Sequence, residues 1–131
     1  MYQRDTTVDF QLTLRKRAAM LTKDELPACP VATTIRLIGN KWKIFILQRL
    51  LDRPYGFGEL HRSIEGISRK VLSDNLKALE VDGIISKTVI EDNPPRSEYA
   101  LTETGNSMRP IISSMEQWGK RYQADVRTSQ E

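Results

Sequence analysis

The chain has 131 residues, 39% of them hydrophobic, a length and composition that suit one domain around one modest core. Its longest apolar run, Ile44 to Leu47, is far too short to cross a bilayer, and MYQRDTTVDF at the start has no apolar signal core, so a cytoplasmic protein with no membrane partner is expected. A formal net charge of +3 does not by itself argue for nucleic acid, but residues 36 to 77 hold nine Lys and Arg against four Asp and Glu, whereas residues 78 to 131 hold six against nine.

In chain order, residues 1 to 28 read as an extension. Phe10, Leu14 and Leu21 stand near helical spacing around the basic trio Arg15, Lys16 and Arg17, which suggests a helix, and TKDELPA at 22 to 28 reads as a connector. Cys29 and Pro30 open the domain. Proline is favoured at the first helical position, so Cys29 becomes the N-cap of a helix running to Ile38, stopped by Gly39 and Asn40. A thiol at a helix start feels partial positive charge, which favours the reactive thiolate, although a lone cysteine is also common as an inert small residue. With a single cysteine, oxidation leaves only an intersubunit bridge, a mixed disulfide or an adduct.

Lys41 to Leu51 is the next helix, ended by Pro54, with Trp42 and Phe45 read as core aromatics and Lys41 and Lys43 placed to approach phosphate. Tyr55 to Phe57 reads as a short strand. Phe57, Leu60 and Ile64 then share one face of a short helix that Gly66 ends, and Ser68 caps a second helix extending toward Asp82 and closed by Gly83. On that second helix Leu72, Leu76 and Leu79 form a face that must be buried. Ser68, Arg69, Lys70, Ser73, Asp74 and Lys77 lie at its start or on its outer side, residue types that reach phosphates and base edges when a helix enters a major groove. A solvated polar face on any amphipathic helix is the plainer alternative.

Ile84 to Ile90 is rich in β-branched residues and reads as a strand. The turn cluster Glu91 to Pro95 follows, with Arg96 at its exit, and Ser97 to Thr102 returns as a second strand. Helix, turn, helix, strand, proline-tipped loop, strand is the order of a winged helix, whose loop lies along DNA beside the reading helix. After the wing a terminal helix starts at Thr102. It carries Met108, Ile111, Ile112, Met115, Trp118 and Tyr122 on one apolar stripe, with a kink expected at Pro110 and a polar, frayed end over residues 123 to 131. A stripe this long wants a partner, and the same helix of a second subunit is the physical candidate. The expected fold class is therefore mostly α with a small β-wing, a winged helix-turn-helix with additional terminal helices for dimerisation.

The run CPVATTIRLIGNKWKIFILQRLL, followed by FGELHRSIEGISRKVLSDNLKALEVDGIIS and PPRSEYALTETG, closely resembles the HxlR family of bacterial winged-helix transcriptional regulators over about residues 29 to 127, leaving a polar tail at 128 to 131. The resemblance implies a sequence-specific regulator, expected to be a repressor. It would bind double-stranded DNA as a homodimer built largely from terminal helices. Some members sense quinones, aldehydes or oxidants through a cysteine preceding a proline, a position that Cys29 matches, so a small electrophile or oxidant becomes a further expected partner. The acidic pair Glu91 and Asp92 at the wing and the long N-terminal extension depart from the family pattern.

An enzyme is disfavoured. The sole histidine, His61, reads as a surface residue with no cysteine or clustered carboxylates near it in sequence, and no glycine-rich phosphate loop occurs. One histidine and one cysteine are also a poor basis for a tetrahedral metal site, so no catalytic residue, metal or cofactor is assigned. The alternative reading is a winged helix used for protein contact, which should show apolar residues where Lys70, Ser73 and Lys77 stand.

Overall fold

The computed structural model describes residues 21–130; the helix expected at residues 8 to 21, with its basic trio, falls almost wholly outside them. After a single 3-10 turn at Lys23–Glu25, the elements are α1 (Pro30–Ile38), α2 (Lys41–Leu50), β1 (Tyr55–Gly56), α3 (Phe57–Ser63), α4 (Arg69–Val81), β2 (Ile85–Ile90), β3 (Arg96–Leu101), α5 (Glu103–Asn106) and α6 (Arg109–Ser129). The sheet is antiparallel in the order β1-β3-β2, with Tyr55 opposite Tyr99 and Lys87 opposite Tyr99 on its other side. This is a winged helix-turn-helix: α3 and α4 are the two helices, and β2 and β3 are the wing, with β1 stitched to its far edge.

The core is a single apolar cluster. Ile46, Leu47 and Leu50 from α2, Leu60 from α3 with Ile64 just after it, Leu72, Leu76 and Leu79 from α4, Ile84 just before β2, and Ile85 and Tyr99 from the sheet are all buried. The leucine face of α4 is thus the inner wall expected from its spacing. The α3–α4 turn works differently from the simplest reading of Gly66. Helix α3 already ends at Ser63, because Ile64 leaves the helical region to drop its side chain into the core, and Gly66 at φ 84° reverses the chain two residues later. Gly83, at φ 76°, closes α4 as expected, where Ile84 donates to the Leu79 carbonyl at 2.9 Å. Phe45 departs from its core assignment. It is 38% exposed and meets half-buried Trp42 edge-on, with ring centroids 6.1 Å apart.

The C-terminal helix is the larger correction. Pro110 makes no kink, because it lies in the first turn of α6, where its missing N–H has no helical acceptor to lose. The chain breaks earlier, at Ser107 and Met108, after the separate turn α5. The hydroxyl of Thr102 caps that turn by accepting the Gly105 N–H at 3.1 Å, and it donates to the carbonyls of Gly83 and Ile84. The expected stripe then divides. Met108 and Ile112 turn inward, 8% and 5% exposed, and anchor α6 on the core beside α2. Ile111, Met115, Trp118 and Tyr122 face outward, and α6 continues to Ser129 rather than fraying from residue 123. Among the described residues, no helix is long and apolar enough to cross a membrane.

Candidate nucleic-acid interface

The outer face of α4 is built by its N-cap and its buried face together. Ser68 accepts the Val71 N–H at 3.1 Å, which fixes the first turn, and the three buried leucines decide which side of the helix faces the core, leaving Ser73, Asp74 and Lys77 on the solvent side. Ser68, proposed from sequence as a contact residue, is therefore also the structural cap. Arg69 projects from the helix start with its guanidinium 5.8 Å from the centre of the Phe57 ring. Lys70 is paired one turn on with Asp74 at 2.9 Å, and that hydrogen bond, followed by the carboxylate's charge, raises its pKa above the ordinary lysine value. Both partners are largely exposed, so the pair contributes little to the fold and is open to exchange for a phosphate.

Between α3 and the wing, with Ser73 the one α4 residue in its lining, is an open cleft of about 770 Å³, which brings Ser73 together with Arg62, Lys87 and Arg96. Arg96 stands at the exit of the wing turn as expected, but it reaches back 2.9 Å to Asp92. The departure of the wing from the family pattern is thereby softened, because half of its acidic pair already has a counter-charge. Glu59 and Glu98 also line the cleft. The Glu59 carboxylate accepts the Gly56 N–H at 2.9 Å and pairs with Arg53 at 3.2 Å; the backbone bond first, then Arg53, holds its pKa below the ordinary value.

Arg62 and Lys87 are cations that the sequence reading does not single out. Lys87 is found only once the β2–β3 register sets it across from Tyr99, whereas Arg62 on the last turn of α3 stands one position beyond His61, which is half-buried. At the other end of the face, Asn40 caps α2 by accepting the Lys43 N–H at 2.9 Å and donates to Asn75 of α4 at 3.1 Å, so the start of α2 lies against the middle of α4. Lys41 is exposed there with its ammonium 4.5 Å from the centre of the Trp42 ring, while Lys43 is half-buried. Cys29 is the N-cap of α1, as its sequence predicts, and is exposed; its thiol makes no capping hydrogen bond.

Comparison with known proteins agrees with this geometry. A family model described as HxlR-like helix-turn-helix matches residues 37–127. YdeP of Bacillus subtilis, an uncharacterised HTH-type transcriptional regulator, is 38% identical over 108 residues, which cover 82% of this chain and 84% of YdeP. Among solved structures, the redox regulator HypR in its reduced form aligns with a TM-score of 0.71 at 34% identity, over 76% of this chain and 99% of HypR. The reduced form of the transcriptional regulator YodB from B. subtilis gives 0.63 at 31% identity, over 73% of this chain and 95% of YodB. The fold, the outward polar face of its second helix and these likenesses together identify a DNA-binding transcriptional regulator, and the chain belongs to the HxlR-like helix-turn-helix family.

Proposed function

We propose that the protein regulates transcription as a homodimer, in the repressor sense expected from its sequence, by laying α4 in the major groove and β2–β3 along the flanking backbone. The observation that carries this reading is the division of α4: Leu72, Leu76 and Leu79 are all buried, while Arg69, Lys70, Ser73 and Lys77 all face out. Ser68, Arg69, Lys70, Ser73, Asp74 and Lys77 are the groove-facing set. Arg96 from the wing, with Lys41 and Lys43 from the start of α2, addresses phosphates. A protein-docking face would be apolar at these positions.

The dimer reading rests on α6. Ile111, Met115, Trp118 and Tyr122 are 39%, 46%, 59% and 56% exposed and fall at successive intervals of four, three and four residues, a narrow apolar stripe about 16 Å long. A second copy of the stripe related by a two-fold axis covers it, and the two α4 helices then meet successive major grooves, about 34 Å apart. Control through Cys29 is the third part of the proposal. It is supported by the exposed thiol at the start of α1 and by the likeness to HypR, solved in oxidised and reduced forms, and to YodB, solved after diamide treatment.

The test uses duplexes selected by the wild-type protein from a random pool. Arg69→Glu and Lys70→Glu should each weaken binding to the selected duplex by about ten- to a hundredfold, with the circular dichroism spectrum and the dimer unchanged. Binding retained by both variants refutes the assignment of α4.

A further inference from the structure

Two asparagines join the start of α2 to the reading helix. Asn40 uses both ends of its amide: Oδ1 accepts the Lys43 N–H at 2.9 Å, and Nδ2 donates to Asn75 Oδ1 at 3.1 Å. Asn75 in turn donates from its own Nδ2 to the Val71 carbonyl, one turn back along α4, at 2.8 Å. The result is an unbroken relay from the first-turn amide of α2, through two side chains, to the backbone of α4. It crosses 35 positions of sequence and lies on the flank of α4, at the margin of its leucine face.

Apolar packing alone sets this helix loosely. Leucine contacts are non-directional, and cores tolerate small rotations and repacking at low cost. Reading bases is stricter. A rotation of α4 by about 10° carries atoms 5–6 Å from its axis through about 1 Å, more than the few tenths of an ångström that a good hydrogen bond tolerates. A directional bond placed off the axis resists that rotation. Asn75 sits halfway along α4, and its partner stands on a capped helix end that cannot itself swivel without losing the Lys43 bond.

We propose that Asn40 and Asn75 form an amide clasp that sets the rotation of α4 about its own axis and so sharpens sequence discrimination, both acting as positioning residues through Arg69, Lys70 and Ser73. The inference rests on the reading of α4 as the groove-inserted helix. Asn40→Ser keeps a neutral oxygen for the Lys43 N–H, since serine caps helices about as well as asparagine, but is too short to reach Asn75. Asn75→Ala removes the other half with a good helix former.

The readout is the ratio of affinities for the selected duplex and a scrambled duplex of equal composition, measured by fluorescence anisotropy. Each single variant should lower that ratio about three- to tenfold, and the double variant should lower it no further than the worse single. The salt dependence should stay at the wild-type slope, because no phosphate contact is lost. Thermal midpoints should follow the wild type for Asn40→Ser, which separates positioning from folding. An unchanged ratio, additive losses in the double variant, or a shallower salt slope in Asn40→Ser overturns the clasp. Lys70→Glu measured in parallel tells the two readings apart. If it loses discrimination while the asparagine variants keep it, only the clasp fails; if it keeps discrimination, the assignment of α4 fails and the clasp with it.

Discussion

Trp118 offers the sharpest test of the proposed assembly. It is 59% exposed, and its one aromatic neighbour among the described residues is Tyr122, stacked at 5.3 Å and 10°, so its removal should leave the fold of one subunit nearly untouched. The open part of the ring amounts to about 150 Å², worth about 3–4 kcal/mol if a partner covers it completely. Truncation to alanine leaves Cβ and some residual contact, and area overstates association energy, so about 2 kcal/mol per copy is a fair expectation. A two-fold interface uses each residue twice. Trp118→Ala should therefore raise the dimer dissociation constant by about a thousandfold, as measured by sedimentation equilibrium across a wide concentration range. Val89→Ala is the control, since Val89 is 53% exposed on the wing, away from the stripe. If the two variants dissociate at the same concentration as each other and as the wild type, α6 is not the interface. If Trp118→Ala is instead an unfolded monomer, the ring supports the fold in a way its exposure denies.

Arg96→Ala should weaken binding to selected and scrambled duplexes alike and flatten the salt dependence by about one unit; a changed sequence preference would mean that the wing reads bases. For Cys29, affinity for the selected duplex should fall on diamide treatment of wild type and stay constant in Cys29→Ser, whereas equal responses, or none, would make the residue structural. Glu59 has a pH signature. Its carboxyl pKa is depressed in the folded state by the Gly56 N–H and then by Arg53, so its stabilising contribution is complete above its ordinary value of 4.5 and is lost as pH falls through the folded value. Glu59→Ala should accordingly show a shallower loss of thermal midpoint between pH 5 and about pH 3 than wild type, and parallel curves would contradict the capping role.

Most of the architecture is legible because each element carries its own local cause. Cys29-Pro30 starts α1 and Ser68 caps α4; three leucines at helical spacing can only face inward, and Pro94 and Pro95 can only be a turn. The C-terminal region was less legible because two different faces share one helical pattern. Met108 and Ile112 lie beside Ile111, Met115, Trp118 and Tyr122 on a helical projection, and spacing alone merges the inward and outward stripes into one. The start of α6 depends on Thr102 reaching the Gly83 and Ile84 carbonyls, 19 and 18 positions back, which no local window contains. The same holds for the candidate site. The outward-facing residues of α4 follow from periodicity, whereas Lys87, Arg62 and the Asn40–Asn75 bond need the register and packing of distant segments.

The anchoring of α6 by its first turn has an evolutionary consequence. Met108 and Ile112, with Arg109 donating to the Leu51 carbonyl at 3.2 Å, tie the helix to the domain, and the outward residues beyond them are not needed to fill its core. If the stripe is the dimer interface proposed above, substitutions at Met115, Trp118 or Tyr122 alter which chain is accepted as a partner while leaving foldability intact. Duplicated copies of such a gene could then drift into mutually exclusive pairs by changing a few side chains on one helix, without passing through an unstable subunit and without altering the surface proposed to face DNA.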